Sequence, residues 1–140
     1  MNLFGIPALA ICLLATLTVQ AQITINEVCS KNATTMEDEN GNDPDWIELH
    51  NSSSAPIDLS NYYLSSDSTN LEEWQFPTVT IPANGFLLVF ASGDDDFDVY
   101  PHTNFGISQF GEKLFLSDAG WLVDEVEAVS YTHLRAHETS

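Results

Sequence analysis

The segment Asp45-Trp46-Ile47-Glu48-Leu49-His50-Asn51 limits the folds open to this chain more than any other. Apolar and polar residues alternate along it, and the run stops at an Asn-Ser cluster. Downstream, Ile81-Pro82-Ala83-Asn84-Gly85-Phe86-Leu87-Leu88-Val89-Phe90 passes from a Pro-Asn-Gly turn into a nearly continuous apolar stretch. Both read as β-strands with their turns attached, the first over 45–51 and the second over 86–91. In the first, Trp46 and Leu49 are expected to face inward, and Ile47, Glu48 and His50 outward.

Further strand candidates follow at roughly ten-residue spacing: 23–29, 62–65, 74–76, 113–117 and 122–126. No segment keeps apolar residues at i, i+3, i+4 and i+7, so helices are not expected. Asn40-Gly41-Asn42, Ser52-Ser53-Ser54, Pro82-Ala83-Asn84-Gly85 and Ala119-Gly120 supply turn chemistry between the strands. The pattern is that of an all-β sandwich or barrel. Trp46, Tyr62, Trp74, Phe76, Phe86, Phe90, Phe115 and Trp121 are expected to build its core, Trp121 being the most exposed. A carbohydrate platform is the alternative use for some of these rings.

The two ends differ in composition from the middle. Residues 1–21 hold an apolar stretch from Leu3 to Val19 and end in Val19-Gln20-Ala21, a small-x-small sequence suited to signal peptidase. This predicts a secretory signal and an extracellular or periplasmic location, with no membrane insertion after cleavage. The segment lacks Lys and Arg before its apolar stretch and contains Gly5 and Pro7, so an uncleaved anchor is the alternative. Cys12 follows Ile11, too large for the usual lipoprotein motif, and would leave with the signal. Cys29 would then be the sole cysteine, an inert and partly buried thiol, and the domain would hold together by its core without an internal disulfide.

At the other end, Val129-Ser130-Tyr131-Thr132-His133-Leu134-Arg135-Ala136-His137-Glu138-Thr139 resembles the translation of a transposase-type sequencing adaptor. That likeness predicts a non-native tail over 128–140 and a longer natural protein. Residues 22–127, roughly a hundred, then make one domain with one modest core. Within them only Lys31 and Lys113 oppose the acids, and the whole chain carries 21 Asp and Glu and a net charge of −18. Such a surface repels phosphate backbones and anionic headgroups, so nucleic acid is not an expected partner. Metal cations and cationic surfaces suit it better.

Several ordered motifs carry a family likeness: Trp46-Ile47-Glu48-Leu49-x-Asn51, Asp58-Leu59-Ser60-x-x-Tyr63-Leu64-Ser65, and Trp74-x-Phe76-Pro77 with Ile81-Pro82-x-x-Gly85. His102-Thr103-Asn104-Phe105, the run from Ser108 to Leu114, and Leu116-x-Asp118-x-x-Gly120-x-x-Val123-Asp124 continue it. Over about Ile23 to Val126 the chain resembles a lamin tail domain. The resemblance implies an immunoglobulin-like β-sandwich, preceded here by the signal peptide. It also implies an accessory role, of the kind such domains take in secreted bacterial proteins beside nucleases, phosphoesterases, adhesion modules or kinase-like proteins. The expected function is a non-catalytic module for adhesion, display or binding of a protein or cell-surface partner. The alternative is a targeting module for a secreted kinase-like or hydrolytic enzyme encoded downstream. DNA binding, attributed to lamin tails, would need basic surface that this chain lacks.

Two acidic segments are candidate calcium sites. Glu37, Asp38, Glu39, Asn40, Asn42, Asp43 and Asp45 offer carboxylate and amide oxygens in a Gly- and Pro-containing loop, and calcium takes six to eight such oxygens. Gly41 falls too early for an EF-hand. Asp94, Asp95, Asp96 and Asp98 form the second candidate. Solvated acidic loops are the simpler alternative for both, and the two could lie together or at opposite ends of the sandwich. No acid pair is marked as a glycosidase pair, and no nucleophile elbow, phosphate loop or dinucleotide fingerprint occurs. No catalytic residue is assigned. Zinc would require Cys29, His50 and His102 to converge without any paired ligand spacing. For His102 a structural, hydrogen-bonded role is expected.

Overall fold

The computed structural model describes residues 20–129 and the backbone of 134–135; the signal-peptide reading and most of the tail fall outside these residues. All regular structure among them is β. In chain order the strands are β1 (Ile23–Cys29), β2 (Asp45–Asn51), β3 (Ile57–Asp58), β4 (Tyr62–Ser65), β5 (Trp74–Gln75), β6 (Thr80–Ile81), β7 (Phe86–Ala91), β8 (Glu112–Asp118), β9 (Trp121–Ala128) and β10 (Leu134–Arg135). Two antiparallel sheets, β10-β1-β2-β7 and β5-β4-β8-β9, enclose the core, and β3-β6 forms a short ribbon. The two-residue β3 and β6 have no apolar period long enough to be read from sequence.

Ile23, Ile25, Ile47, Leu49 and Val89 from the first sheet meet Leu64, Trp74, Leu114, Leu116 and Val126 from the second. Most of these side chains are fully buried, and each contributes roughly 1.5–3 kcal/mol from the apolar area removed from water. A bulge at Asn26 shifts the β1–β2 register between Ile25 and Glu27, and the Asn26 amide donates to Glu48 Oε1 at 2.7 Å. The freed N–H of Ile25 donates to Asp124 Oδ2 on β9 at 2.9 Å, joining the two sheets along one side.

The orientation of β2 corrects the sequence reading. Ile47, Leu49 and Asn51 face the main core, whereas Trp46 belongs to a second apolar cluster with Cys29 and Phe90. A strict two-residue period puts Trp46 and Leu49 on opposite faces. Trp46 is nevertheless buried, because loops cover the outer face of β1, β2 and β7 at that end, adding Met36 and Tyr100 to a cluster that Leu88 of β7 also joins. Phe86, expected in the core, is 54% exposed. It lies opposite His50 in the β2–β7 register, beyond the reach of those loops, and stacks on the imidazole at 4.5 Å between ring centroids. Trp121 is 80% exposed at the start of β9, just after the Ala119-Gly120 turn, as expected. Cys29 is fully buried, and burial, reinforced by the Asp45 and Glu27 carboxylates, pushes its thiol up from its ordinary value against the N–H of Lys31. From the tail excluded at the sequence level, Leu134 and Arg135 pair with Val28 and Glu27 on the edge of β1.

Asn51 is the polar centre of the end opposite those loops. Its fully buried amide donates to the carbonyls of Ala55 (2.8 Å), Ile81 (3.1 Å) and Pro82 (3.0 Å), and its Oδ1 accepts from Ser53 N–H and Oγ. Two amide hydrogens thus serve three carbonyls on two chain segments. The turn they anchor is tight: a Cβ on Gly85 would lie 3.0 Å from Pro82 O, and Asn84 sits at φ 56°. Asn51→Ala removes this anchor and leaves the buried Ile81 carbonyl without its donor, so it should cost about 3 kcal/mol in urea unfolding at unchanged m-value. A loss below about 1 kcal/mol would mean that water replaces the amide.

Candidate functional site

The loops between β1 and β2 and after β7 emerge at the same end of the sandwich and touch. The first is gathered at its base by Asn32, whose Nδ2 donates to Met36 O (2.5 Å) and Pro44 O (2.9 Å) while its Oδ1 accepts from Thr35 N–H. Asp45 Oδ1 accepts the N–H of Asn32 at 3.1 Å; burial nevertheless raises the Asp45 carboxyl above its ordinary value. At the tip, Asp38 Oδ1 accepts from both Asn40 and Asn42 N–H at 2.9 Å, and Asp38 N–H closes onto Asn42 O at 2.8 Å. An Asp followed by Asn and Gly favours such a turn because the short side chain competes with backbone acceptors.

The second loop is held from several directions. Ser92 Oγ accepts from Asp94 N–H, Asp95 Oδ1 accepts from the Trp74 indole at 3.0 Å, and Asp96 O accepts from His102 N–H at 2.8 Å. Asp95 adopts φ 53°, a left-handed conformation that Asp tolerates better than most residues.

Glu39 joins the loops. Its Oε1 accepts from the N–H groups of Val99 (3.3 Å) and Tyr100 (3.5 Å), and its Oε2 lies 3.0 Å from His102 Nε2. His102 is 2% exposed, hydrogen-bonded at Nδ1 to Ser92 Oγ (2.9 Å) and stacked on Phe90. Desolvation pushes the Glu39 carboxyl up, but the hydrogen bond from His102 and those from backbone N–H groups outweigh it and hold the carboxyl at about 2. As an acceptor-only carboxylate, Glu39 requires the proton on Nε2 of His102.

The structure therefore places the two acidic segments together and sorts their residues. Glu37, Asn40, Asn42, Asp43, Asp94, Asp96 and Asp98 are exposed, Asp95 is tied to Trp74, and Asp45 sits at the loop base. Asp38 and Glu39 turn inward and meet His102, the three offering ligand atoms within 4.8 Å of one another. Cys29 and His50 do not join them: Cys29 lies in the cluster under Trp46, and His50 is at the far end of β2. The grouping of Asp38 and Glu39 with His102 was not read from sequence, since 63 positions separate Glu39 from His102. The available hint was an acid-rich loop in a chain with a histidine inside an ordered motif.

Comparison with known families matches residues 17–130 to the Lamin Tail Domain. The chain belongs to the lamin tail domain family. This is a family of immunoglobulin-like, non-enzymatic domains, in agreement with the antiparallel sandwich. Among curated proteins none matches. In this lamin tail domain, His102 and Trp74 are the motif residues that carry the acidic loops, His102 through Glu39 and Trp74 through Asp95.

Because the folded value of Glu39 lies below its ordinary 4.5, its contribution to stability is complete above that pH and is lost as pH falls toward 2. Glu39→Gln should be less stable than wild type at neutral pH, and the gap should narrow between about pH 5 and pH 2 when both are unfolded by urea in EDTA. A gap independent of pH would remove Glu39 as the source.

Proposed function

We propose that this lamin tail domain is a secreted, non-catalytic binding module that engages a cationic protein or cell-surface partner through its acidic loop end. One observation carries this reading: Asp94, Asp96 and Asp98 are exposed beside Phe97 (44% exposed) and Val99 (61% exposed) on a loop whose backbone is fixed by Trp74, Glu39 and His102. A rigid loop loses little entropy on binding, and exposed apolar side chains among carboxylates suit a partner with Lys or Arg beside apolar groups. Next to it, Trp74, Gln75, Pro77, Asp95, Asp96 and Phe97 line a shallow depression of about 180 Å³, where a cationic side chain would meet an aromatic wall and carboxylates. Secretion is supported by the signal-like sequence of residues 1–21, and the net charge of −18 favours cationic over nucleic-acid partners.

A random peptide library displayed on phage and selected against the full chain tests this. Enriched peptides should carry Lys or Arg beside an aromatic or aliphatic residue and should bind less tightly as salt rises. Asp96→Asn with Phe97→Ala should weaken them at least tenfold, about 1.4 kcal/mol, while Trp121→Ala at the opposite end leaves them unchanged. Enrichment of peptides without basic residues, or loss of binding through Trp121→Ala alone, would overturn the assignment.

A further inference from the structure

We propose that His102, Glu39 and Asp38 form a binding site for a divalent transition-metal ion of the zinc class, set where the two acidic loops join. The donors are one imidazole nitrogen, His102 Nε2, and one carboxylate oxygen each from Glu39 and Asp38, all within 4.8 Å of one another. Zinc binds nitrogen and oxygen donors at about 2.0–2.2 Å, which sets tetrahedral donors about 3.4 Å apart. The Glu39–His102 pair already stands at 3.0 Å. Closing the set therefore takes movements of about 1.5 Å or less, within the reach of side-chain torsions in a loop.

The electrostatics ask for a cation. Asp38 is 7% exposed and the Glu39 side chain 10%, so two carboxylates are drawn out of water side by side. Among the described residues the ion pairs are His102–Glu39 and Lys113–Glu125, so Asp38 has no Lys or Arg within pairing distance. Backbone N–H groups satisfy one Asp38 oxygen in the Asx-type turn but bring no full positive charge. A divalent ion between the two carboxylates and the imidazole would neutralise both; the ring would bind it as neutral imidazole, its proton passing from Nε2 to Nδ1, where Ser92 Oγ accepts it in a hydrogen bond.

The surroundings also hold the donors as a metal site holds its ligands. Ser92 Oγ fixes the imidazole from Nδ1, directing Nε2 at the carboxylates, and the Val99 and Tyr100 N–H groups hold the far oxygen of Glu39. One nitrogen and two carboxylates, with water in the fourth position, suit zinc-class ions; calcium would need six to eight oxygens. This assignment differs from both sequence-level ones. It takes only two residues from the calcium candidates, and it takes His102 without Cys29 or His50.

The test is titration of Zn²⁺ into the full chain, carrying His133→Ala and His137→Ala so that tail histidines do not compete. Isothermal calorimetry should show one equivalent bound, the melting temperature should rise with added Zn²⁺, and Ca²⁺ should produce neither effect. Glu39→Gln, which keeps an acceptor for His102, and Asp38→Asn should each weaken Zn²⁺ binding at least tenfold, while His50→Ala and Asp94→Asn leave it unchanged. Two readouts need no ligand variant: ring ¹⁵N shifts of His102 on Zn²⁺ addition, and the intense visible bands of tetrahedral Co²⁺. No binding at 100-fold excess Zn²⁺, undiminished binding in both Glu39→Gln and Asp38→Asn, or unmoved His102 ring resonances would overturn the site.

Discussion

The contact between Glu39 and His102 lets one end of a sheet be buried on both faces. On their outer side, β1, β2 and β7 present Cys29, Trp46 and Phe90, all apolar and all covered. Their cover consists of two irregular loops, the second tied to β7 only by isolated bridges such as Phe90 with His102. Such loops stay on an apolar surface only if their polar groups are satisfied there. Glu39 does this across the join, accepting from two backbone N–H groups and from His102, while the imidazole stacks on Phe90. Removing the contact would therefore part the tip of the first loop from the second, which keeps its own ties through Trp74 and the backbone of Phe90, and would loosen the cover over Trp46.

The two ends of the sandwich solve the same problem with different chemistry. At one end Asn51, a neutral amide, ties two turns together with no net charge to desolvate. At the other, the tie is a carboxylate and an imidazole, in a chain whose acids outnumber its basic residues 21 to 3. A neutral hub is insensitive to pH and ions, whereas a charged one responds to both. The tie that responds is the one at the end that carries exposed Phe97 and Val99, where a ligand can use it.

Much of the fold was legible because long strands carry their own period. Ile23–Cys29, Asp45–Asn51, Tyr62–Ser65 and Phe86–Ala91 appear with the bounds read from sequence. The facing of β2 is harder to read, because Trp46 and Leu49 are both apolar and both buried, yet a two-residue period forbids them the same face. A tryptophan that is buried on the wrong side signals a third layer, and nothing local in the sequence announces one. Phe86 illustrates the converse, an aromatic residue in an apolar run whose place lies just outside the cover. In the candidate site, the acidic loops were legible as composition. The inward turn of Asp38 and Glu39 was not, because it depends on a partner at His102 that only the fold brings near.

A surface of like charges resists compaction, and the acidic loops are where that resistance is greatest. Yet they are packed against each other, with Asp38 and Glu39 inside and Asp43, Asp94, Asp96 and Asp98 around them. Hydrogen bonds to the backbone stabilise individual carboxylates without reducing the repulsion between them, since N–H dipoles carry no net charge. Only positive charge does that, and neither described lysine is paired at this end, Lys113 being engaged with Glu125 on the far sheet. The loop end is consequently a place where any bound cation, whether a metal ion at the buried trio or a basic side chain at the exposed rim, gains from relieving a repulsion already present in the free protein. Occupancy of the inner position would lower the negative potential at the rim, so the two would oppose one another rather than cooperate.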